Sequence, residues 1–327
     1  MNPQVLVTWQ MPEQPLNLLR ETTEVTLNLA DRSLSAEELI AQVPGKDALL
    51  CLGVDPISNS VLEAGKNLKI VAIYAVGYNN INLTKATCLK IPVTNTPDVH
   101  AETTADLTFA LLLGVARRVG EAERFLRAGK WARWKPDLLL GSDAHGKTLG
   151  IVGLGQIGSA VAKRARGFKM KILYTDSQRM DRSVEDQCRA RFVSLPELLA
   201  QADFVTLHVP LLPETTHLIG STEMRQMKKS AYLINASRGP VVDEKALVEA
   251  LQQRIISGAA LDVFEEEPRV HPKLLEMENV ILLPHIGSAS SETREKMGFV
   301  AVQNIQAVLR GESPPNILNP DIYSSKA

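Results

Sequence analysis

Residues 148–176, TLGIVGLGQIGSAVAKRARGFKMKILYTD, constrain the fold of this chain more than any other stretch. A short apolar run, Leu149–Val152, feeds directly into Gly153-x-Gly155-x-x-Gly158. A helical pattern follows, and a second apolar run closes on Asp176. This is the strand–turn–helix–strand order of a dinucleotide-binding unit. Its first glycine permits a tight turn, the second lets a pyrophosphate approach the backbone, and the third lets helix pack on strand. Phosphates would then sit at the helix N-terminus, where unpaired N–H groups and the helix dipole favour negative charge. Three glycines alone could be a simple turn, but here the flanking strands, helix and acidic residue agree with them.

The whole chain has 327 residues, enough for two domains, and a formal net charge of −1, which argues against a nucleic-acid surface. The start, MNPQVLVTWQMPEQPL, lacks a charged segment followed by an apolar core, so no signal peptide is expected. No apolar run reaches the ~20 residues of a membrane helix. Cys51, Cys88 and Cys188 are scattered, with no CxxC or zinc spacing, and read as reduced thiols of a cytoplasmic protein with no metal site. A loose tail is expected after Pro314.

Taken in order, the first part of the chain alternates strands and helices. Strands are expected at Val5–Trp9, Ala48–Leu52 and Ile70–Ala75, with helices at Ser35–Gln42 and Ser58–Ala64. Such alternation implies a parallel sheet covered on both faces. Two loops, Cys51–Asp55 and Ala75–Tyr78, follow strands and are either ligand loops or ordinary turns. Thr103–Ala116 is apolar on nearly every side and should be a buried helix, a domain spine or a dimer contact. Trp131–Gly141 carries two tryptophans and reads either as an arm that packs on a partner or as a surface loop. Beyond Asp176, strands are expected at Ala202–Val209, Ala231–Asn235, Ala259–Val263 and Val280–Leu283. Ser194-x-x-Glu197 reads as a capping box, Asp243 as a helix cap, and Ser290 as the cap of a long helix stopped by Gly311.

Three strand ends carry the chemistry. Arg238 follows the strand Ala231–Asn235, Glu267 follows the strand ending in Val263, and His285 follows Val280–Leu283. In open parallel sheets, ligands gather at the carboxyl ends of strands. A keto acid's carboxylate suits the two-pronged arginine cation. Its carbonyl oxygen needs a proton as hydride arrives, which imidazolium can deliver near neutral pH. A carboxylate beside the ring fixes it and favours its charged form. The other histidines (His100, His145, His208, His217 and His271) have no partner pattern and read as structural or exposed.

At this point the residues resemble the D-isomer-specific 2-hydroxyacid dehydrogenases, and within them most resemble the glyoxylate/hydroxypyruvate reductases. Val76-Gly77-Tyr78, Thr94–Pro97, Gly146–Gly150, Gly153–Gly158, His208–Leu211, Asn235–Gly239, Leu261–Phe264 and Pro284–Ser288 carry the likeness, in order and over nearly the whole length. The resemblance implies Arg238, Glu267 and His285 as the catalytic set. It also implies that Val76, Gly77 and Ser288 meet substrate. Ala236 and Asp262 would hold the carboxamide end of the cofactor with Thr104 nearby, Gln156 and Ile157 would meet its pyrophosphate, and Pro210 and Thr215 would line its adenosine side, with Val209 and Gly287 as further cofactor contacts. A homodimer built on the apolar helix and aromatic arm is implied as well. Departures from the family pattern are Asn79, Asn82 and His100. Leu139 also departs, standing where animal glyoxylate reductases project a tryptophan, so a roomier pocket is expected.

The expected fold is therefore α/β, with two doubly wound parallel-sheet domains. A Rossmann cofactor domain (100–288) would be inserted into a flavodoxin-like substrate domain (1–99 plus 289–327). Asp176 favours NAD by accepting ribose hydroxyls and repelling a 2′-phosphate, while nearby Arg179 keeps NADP open. The expected activity is reduction of glyoxylate, hydroxypyruvate or 2-ketogluconate to the D-2-hydroxy acid. Alternatives are a phosphite dehydrogenase-like oxidoreductase or a non-enzymatic NAD(H)-sensing regulator of the same fold.

Overall fold

The computed structural model describes residues 2–324. The chain divides into two compact units, Met1–His100 with Ala289–Ala327, and Ala101–Ser288. Both are α/β, and each is built on a wholly parallel sheet.

In the first unit the order is β1 (Gln4–Val7), α1 (Glu13–Arg20), β2 (Glu24–Leu27), α2 (Ala36–Gln42), β3 (Ala48–Cys51), α3 (Asn59–Ala64), β4 (Ile70–Ile73), α4 (Leu83–Cys88) and β5 (Val93–Thr94). Their sheet order, β2-β1-β3-β4-β5, is the flavodoxin-like doubly wound arrangement. Side chains alternate along the strands, so Leu6, Leu49, Cys51 and Val71 form one core. Val5, Val7, Leu50 and Ala72 form the other. Ser35 and Ser58 cap α2 and α3 through their hydroxyls. Asn82 caps α4 by accepting the Lys85 N–H at 3.0 Å, which accounts for asparagine there. The Cys51–Asp55 loop is knit to itself: Asp55 is buried and accepts the Leu52 N–H at 2.7 Å, and Asn80 donates to the carbonyls of Leu52 and Asp55.

Within the second unit follow α5 (Ala101–Ala116), α6 (Val119–Arg127), β6 (Thr148–Val152), α7 (Gln156–Gly167), β7 (Lys171–Thr175), α8 (Arg182–Cys188), β8 (Ala190–Phe192), α9 (Leu195–Gln201), β9 (Phe204–Leu207), α10 (Ser221–Gln226), β10 (Tyr232–Asn235), α11 (Glu244–Gln252), β11 (Gly258–Leu261), α12 (Pro272–Glu276) and β12 (Val280–Leu282). The sheet runs β12-β11-β10-β9-β6-β7-β8 and reverses direction between β6 and β9. That reversal is the topological switch point, where loops leave the sheet in opposite directions and a crevice opens. One face is covered by α5 and α7 around Leu149, Ile151, Tyr174 and Phe204. The other is covered by α9, α10 and α11 around Val205, Leu207 and Leu233.

The chain ends with α13 (Ser291–Leu309) and α14 (Asp321–Ser324) in the first unit, where α13 packs on α1 and β4. Two expectations need correcting. The stretch after Pro314 is not loose through residue 324, because Leu318 N–H donates to the Val93 carbonyl and the Asn319 side chain bonds Val93 N–H and Ile91 O. An asparagine satisfying an edge strand is a long-range device that composition does not reveal; residues 325–327 lie outside the described part. Ser194 caps α9, but the reciprocal half of its capping box is absent, because the Glu197 carboxylate is drawn to Arg191 and Gln201 instead.

Candidate active site

Three adjacent strands of the second unit, β10, β11 and β12, end side by side, and each releases a loop that carries one reactive group. After β10, Asn235 shapes the loop: its Oδ1 accepts Ser237 N–H and the Ser237 hydroxyl, and its Nδ2 donates to the Arg238 carbonyl at 2.9 Å. Arg238 then stands half-buried, with Nη1 donating to Ser237 O at 2.7 Å. Burial pulls the guanidinium below its ordinary range, and the charge of Glu267 opposes that. A Cβ on Gly239 would lie 1.9 Å from the Phe264 carbonyl carbon and oxygen, so only glycine lets the loops after β10 and β11 touch backbone to backbone. Arg238 and Glu267 are brought together by that contact.

Glu267 is fixed at both oxygens. Oε1 accepts the Phe264 N–H at 3.1 Å, and Oε2 lies 2.8 Å from His285 Nδ1. Burial works to raise its carboxyl, but the His285 hydrogen bond and charge, the Phe264 N–H and Arg238 outweigh burial and hold it below the ordinary value. His285 sits after β12 at φ +55°, a left-handed conformation that side-chain-bearing residues rarely adopt. Asp262, buried at the end of β11, imposes it. Its backbone carbonyl accepts His285 N–H at 2.9 Å, and its Oδ1 accepts Ile286 N–H at 2.8 Å. Burial raises the Asp262 carboxyl, with the Ile286 N–H pulling the other way. The ring is thereby pinned through Nδ1, leaving Nε2 as its other reactive atom.

The residues marked for a cofactor surround the switch point. Gly153 has φ +93°, and a Cβ there would meet the His208 carbonyl oxygen at 2.7 Å, so the loops after β6 and β9 need glycine to approach each other. A Cβ on Gly158 would lie 2.1 Å from Gly153 O, the close helix–strand packing the motif requires. Gly155 faces open space, with nothing within 4 Å, and caps α7 without any side-chain bond. The start of α7 at Gln156 and Ile157 follows directly on this glycine, so a pyrophosphate can approach the helix N-terminus there. Asp176 ends β7, accepting Leu154 N–H at 2.8 Å through Oδ2 and Ser177 N–H at 2.8 Å through Oδ1. Beyond β9, Val209 is half-buried and Pro210 exposed, and the Thr215 hydroxyl bonds the Pro210 carbonyl at 2.6 Å. Thr104, Ala236 and Asp262 are buried near the other strand ends. Gly287 lies against Asp262 and Thr104, since a Cβ there would come within 3.2 Å and 3.5 Å of them, and Ser288 follows it. Val76 and Gly77 belong to the first unit, in the loop after β4, where Asn95 Nδ2 holds the Val76 carbonyl at 2.9 Å.

Sequence reasoning missed the scaffold of the site. Asn235 and Gly239 set the loops, and their signal was local: a residue able to form an Asx turn at a strand end, and a glycine directly after the arginine. Asp262, expected only as a cofactor contact, also holds the turn at His285. It also passed over two histidine partners. His217 Nε2 bonds Glu265, and His271 Nδ1 caps α12 by accepting Lys273 N–H. Among the described residues no cluster of His, Cys, Asp or Glu could hold a metal ion, and no helix is long and apolar enough to cross a membrane.

Residues 109–287 match the model described as D-isomer specific 2-hydroxyacid dehydrogenase, NAD binding domain. A glyoxylate reductase of Korarchaeum cryptofilum is 50% identical over 325 residues, 98% of this chain and 97% of that protein. The crystal structure of a glyoxylate reductase from Paecilomyes thermophila superposes with a TM-score of 0.86 at 31% identity, over 98% of this chain and 99% of that one. The NADPH-dependent glyoxylate/hydroxypyruvate reductase of Sinorhizobium meliloti, solved with NADP and malonate, gives 0.85 at 32% identity, over 97% of each chain. On this evidence the chain is a member of the D-isomer specific 2-hydroxyacid dehydrogenase family.

Proposed function

We propose that the protein reduces a small 2-keto acid, with glyoxylate or hydroxypyruvate first and 2-ketogluconate next, to the D-2-hydroxy acid. The observation that carries this reading is the Glu267–His285 pair, with Oε2 and Nδ1 2.8 Å apart, beside the half-buried Arg238. When bound, a nicotinamide dinucleotide supplies the hydride. Gln156 and Ile157 hold its pyrophosphate, and Asp176 takes the adenosine ribose.

Arg238 takes the substrate carboxylate in a two-pronged, charge-assisted contact and turns the carbonyl toward the histidine. His285 gives a proton from Nε2 to the carbonyl oxygen as charge develops there. Glu267, ionised and fixed at both oxygens, keeps the ring from turning and balances its positive charge through Nδ1. Asp262 holds the left-handed turn that presents the ring. Two copies of the chain pair through α5 and the aromatic arm, where Trp131 and Trp134 are 56% and 77% exposed.

The test is loss of absorbance at the nicotinamide band with NADH and NADPH in separate runs. Substrates are glyoxylate, hydroxypyruvate, 2-ketogluconate, pyruvate and phenylpyruvate, with phosphite and oxidised cofactor as the contrary arm. Turnover of one or two small keto acids supports the reading. Turnover of phosphite alone, or cofactor binding without any turnover, overturns it in favour of phosphite oxidation or a sensor.

A further inference from the structure

The loop after β7 contains both a carboxylate, Asp176, and a cation, Arg179, and in this fold these two residue types make opposite choices at the adenosine ribose. A carboxylate accepts the free 2′-hydroxyl, whereas an arginine accommodates a 2′-phosphate. The sequence alone leaves them in competition. The structure shows that Arg179 is engaged elsewhere. Its Nε and Nη2 donate to Oε1 and Oε2 of Glu185 on α8, both at 2.9 Å, in the parallel fork that arginine makes with a carboxylate. Glu185 is itself anchored, because the hydroxyl of fully buried Tyr174 donates to Oε1 at 2.8 Å while accepting Met180 N–H at 2.9 Å. The carboxylate is nearly buried and the arginine side chain is 66% exposed, so the arginine is the movable partner and the glutamate the fixed one. The Arg179 and Tyr174 bonds draw the Glu185 carboxyl down to about 2, which keeps the clamp charged at any working pH.

We propose that Glu185 is a specificity-determining residue for the cofactor: it withholds Arg179 from a 2′-phosphate and so leaves Asp176 to select the unphosphorylated ribose. Glu185 acts through Arg179 and is a positioning residue. Tyr174 and α8 supply the rigidity that makes the restraint effective, since a glutamate on a mobile loop would simply follow the arginine to the phosphate. The inference rests on the dinucleotide reading of the β6–α7–β7 unit.

Calorimetric titration with NAD+ and NADP+, with no turnover involved, tests it on the full chain and three variants. Glu185→Gln keeps an acceptor for Tyr174 but loses the charge; it should tighten NADP+ binding roughly tenfold while NAD+ moves by less than about twofold. Adding Arg179→Gln to it should abolish that gain. Arg179→Gln alone should leave NADP+ affinity at the wild-type value, because the guanidinium is already withheld. In kinetics the KM for NADPH should fall in Glu185→Gln with kcat unchanged. An unaltered NADP+/NAD+ ratio in Glu185→Gln, a gain that survives loss of Arg179, or weaker NADP+ binding in Arg179→Gln alone would each overturn the proposal. The last variant decides even if Glu185→Gln fails to fold. Failure of wild-type protein to bind either nucleotide would instead overturn the dinucleotide reading itself.

Discussion

Two histidines follow parallel strands of the same sheet, yet they sit in opposite circumstances. His285, after β12, is 39% exposed and shares a 2.8 Å bond with Glu267. His208, after β9, has both ring nitrogens buried with no hydrogen-bond partner among the described residues, and burial drives it down from 6.5 to about 3. Position at a strand's carboxyl end therefore does not make a histidine chemical. A carboxylate at Nδ1 and an open Nε2 do, and both depend on neighbouring loops rather than on the strand. Asp262 holds His285 in a left-handed turn that brings the ring to Glu267, whereas His208 leaves its strand toward the backbone of Gly153.

The sharpest way to break this comparison is to delete each ring. His285→Ala should lower kcat by roughly 100- to 10,000-fold, the range spanned by a positioned proton donor, with cofactor binding retained. Near-wild-type turnover would show that another group delivers the proton. Glu267→Gln leaves an acceptor at the ring but removes the charge, and turnover should fall on the order of 100-fold with KM little changed. Were the loss confined to KM, Glu267 would be a substrate contact instead. Arg238→Lys preserves charge while losing the fork; kcat/KM should drop by roughly 10- to 100-fold, mostly through KM. An unchanged KM would remove the carboxylate from Arg238.

The contrast also shows what the sequence could and could not reveal. Arg238, Glu267 and His285 were readable because a keto acid demands an arginine, a carboxylate and an imidazole, and three strand ends offered one each. The layers were readable too, because buried parallel strands such as Ala48–Cys51 and Phe204–Leu207 are continuous apolar runs. The short or one-sided elements were not. β5 has two residues, too few to show a period, while β2 and α6 bring few apolar residues to the core and leave one side to solvent. Asn319 at β5, Gly239 against Phe264 and Glu185 on Arg179 depend on approaches between separate segments, which no local pattern encodes. His208 read as structural or exposed, and the burial of its ring nitrogens became visible only once the loop after β6 was in place.

That ring yields the smallest expected effect and the finest test of the comparison. In the folded protein His208 stays neutral down to about 3, while in the unfolded chain it takes a proton near 6.5. Below 6.5 the unfolded state therefore binds more protons than the native state, so stability falls as pH falls, and the penalty stops growing below about 3. The slope for one such group reaches about 1.4 kcal/mol per pH unit, or on the order of 3 kcal/mol by pH 4. His208→Leu removes both the titration and the bare nitrogens. Urea unfolding at pH 7 and pH 4.5 should show the wild type losing about 2–3 kcal/mol more than the variant between those conditions. Equal losses would mean that the native ring accepts a proton where it stands, and the two histidines would then differ in exposure alone rather than in chemistry.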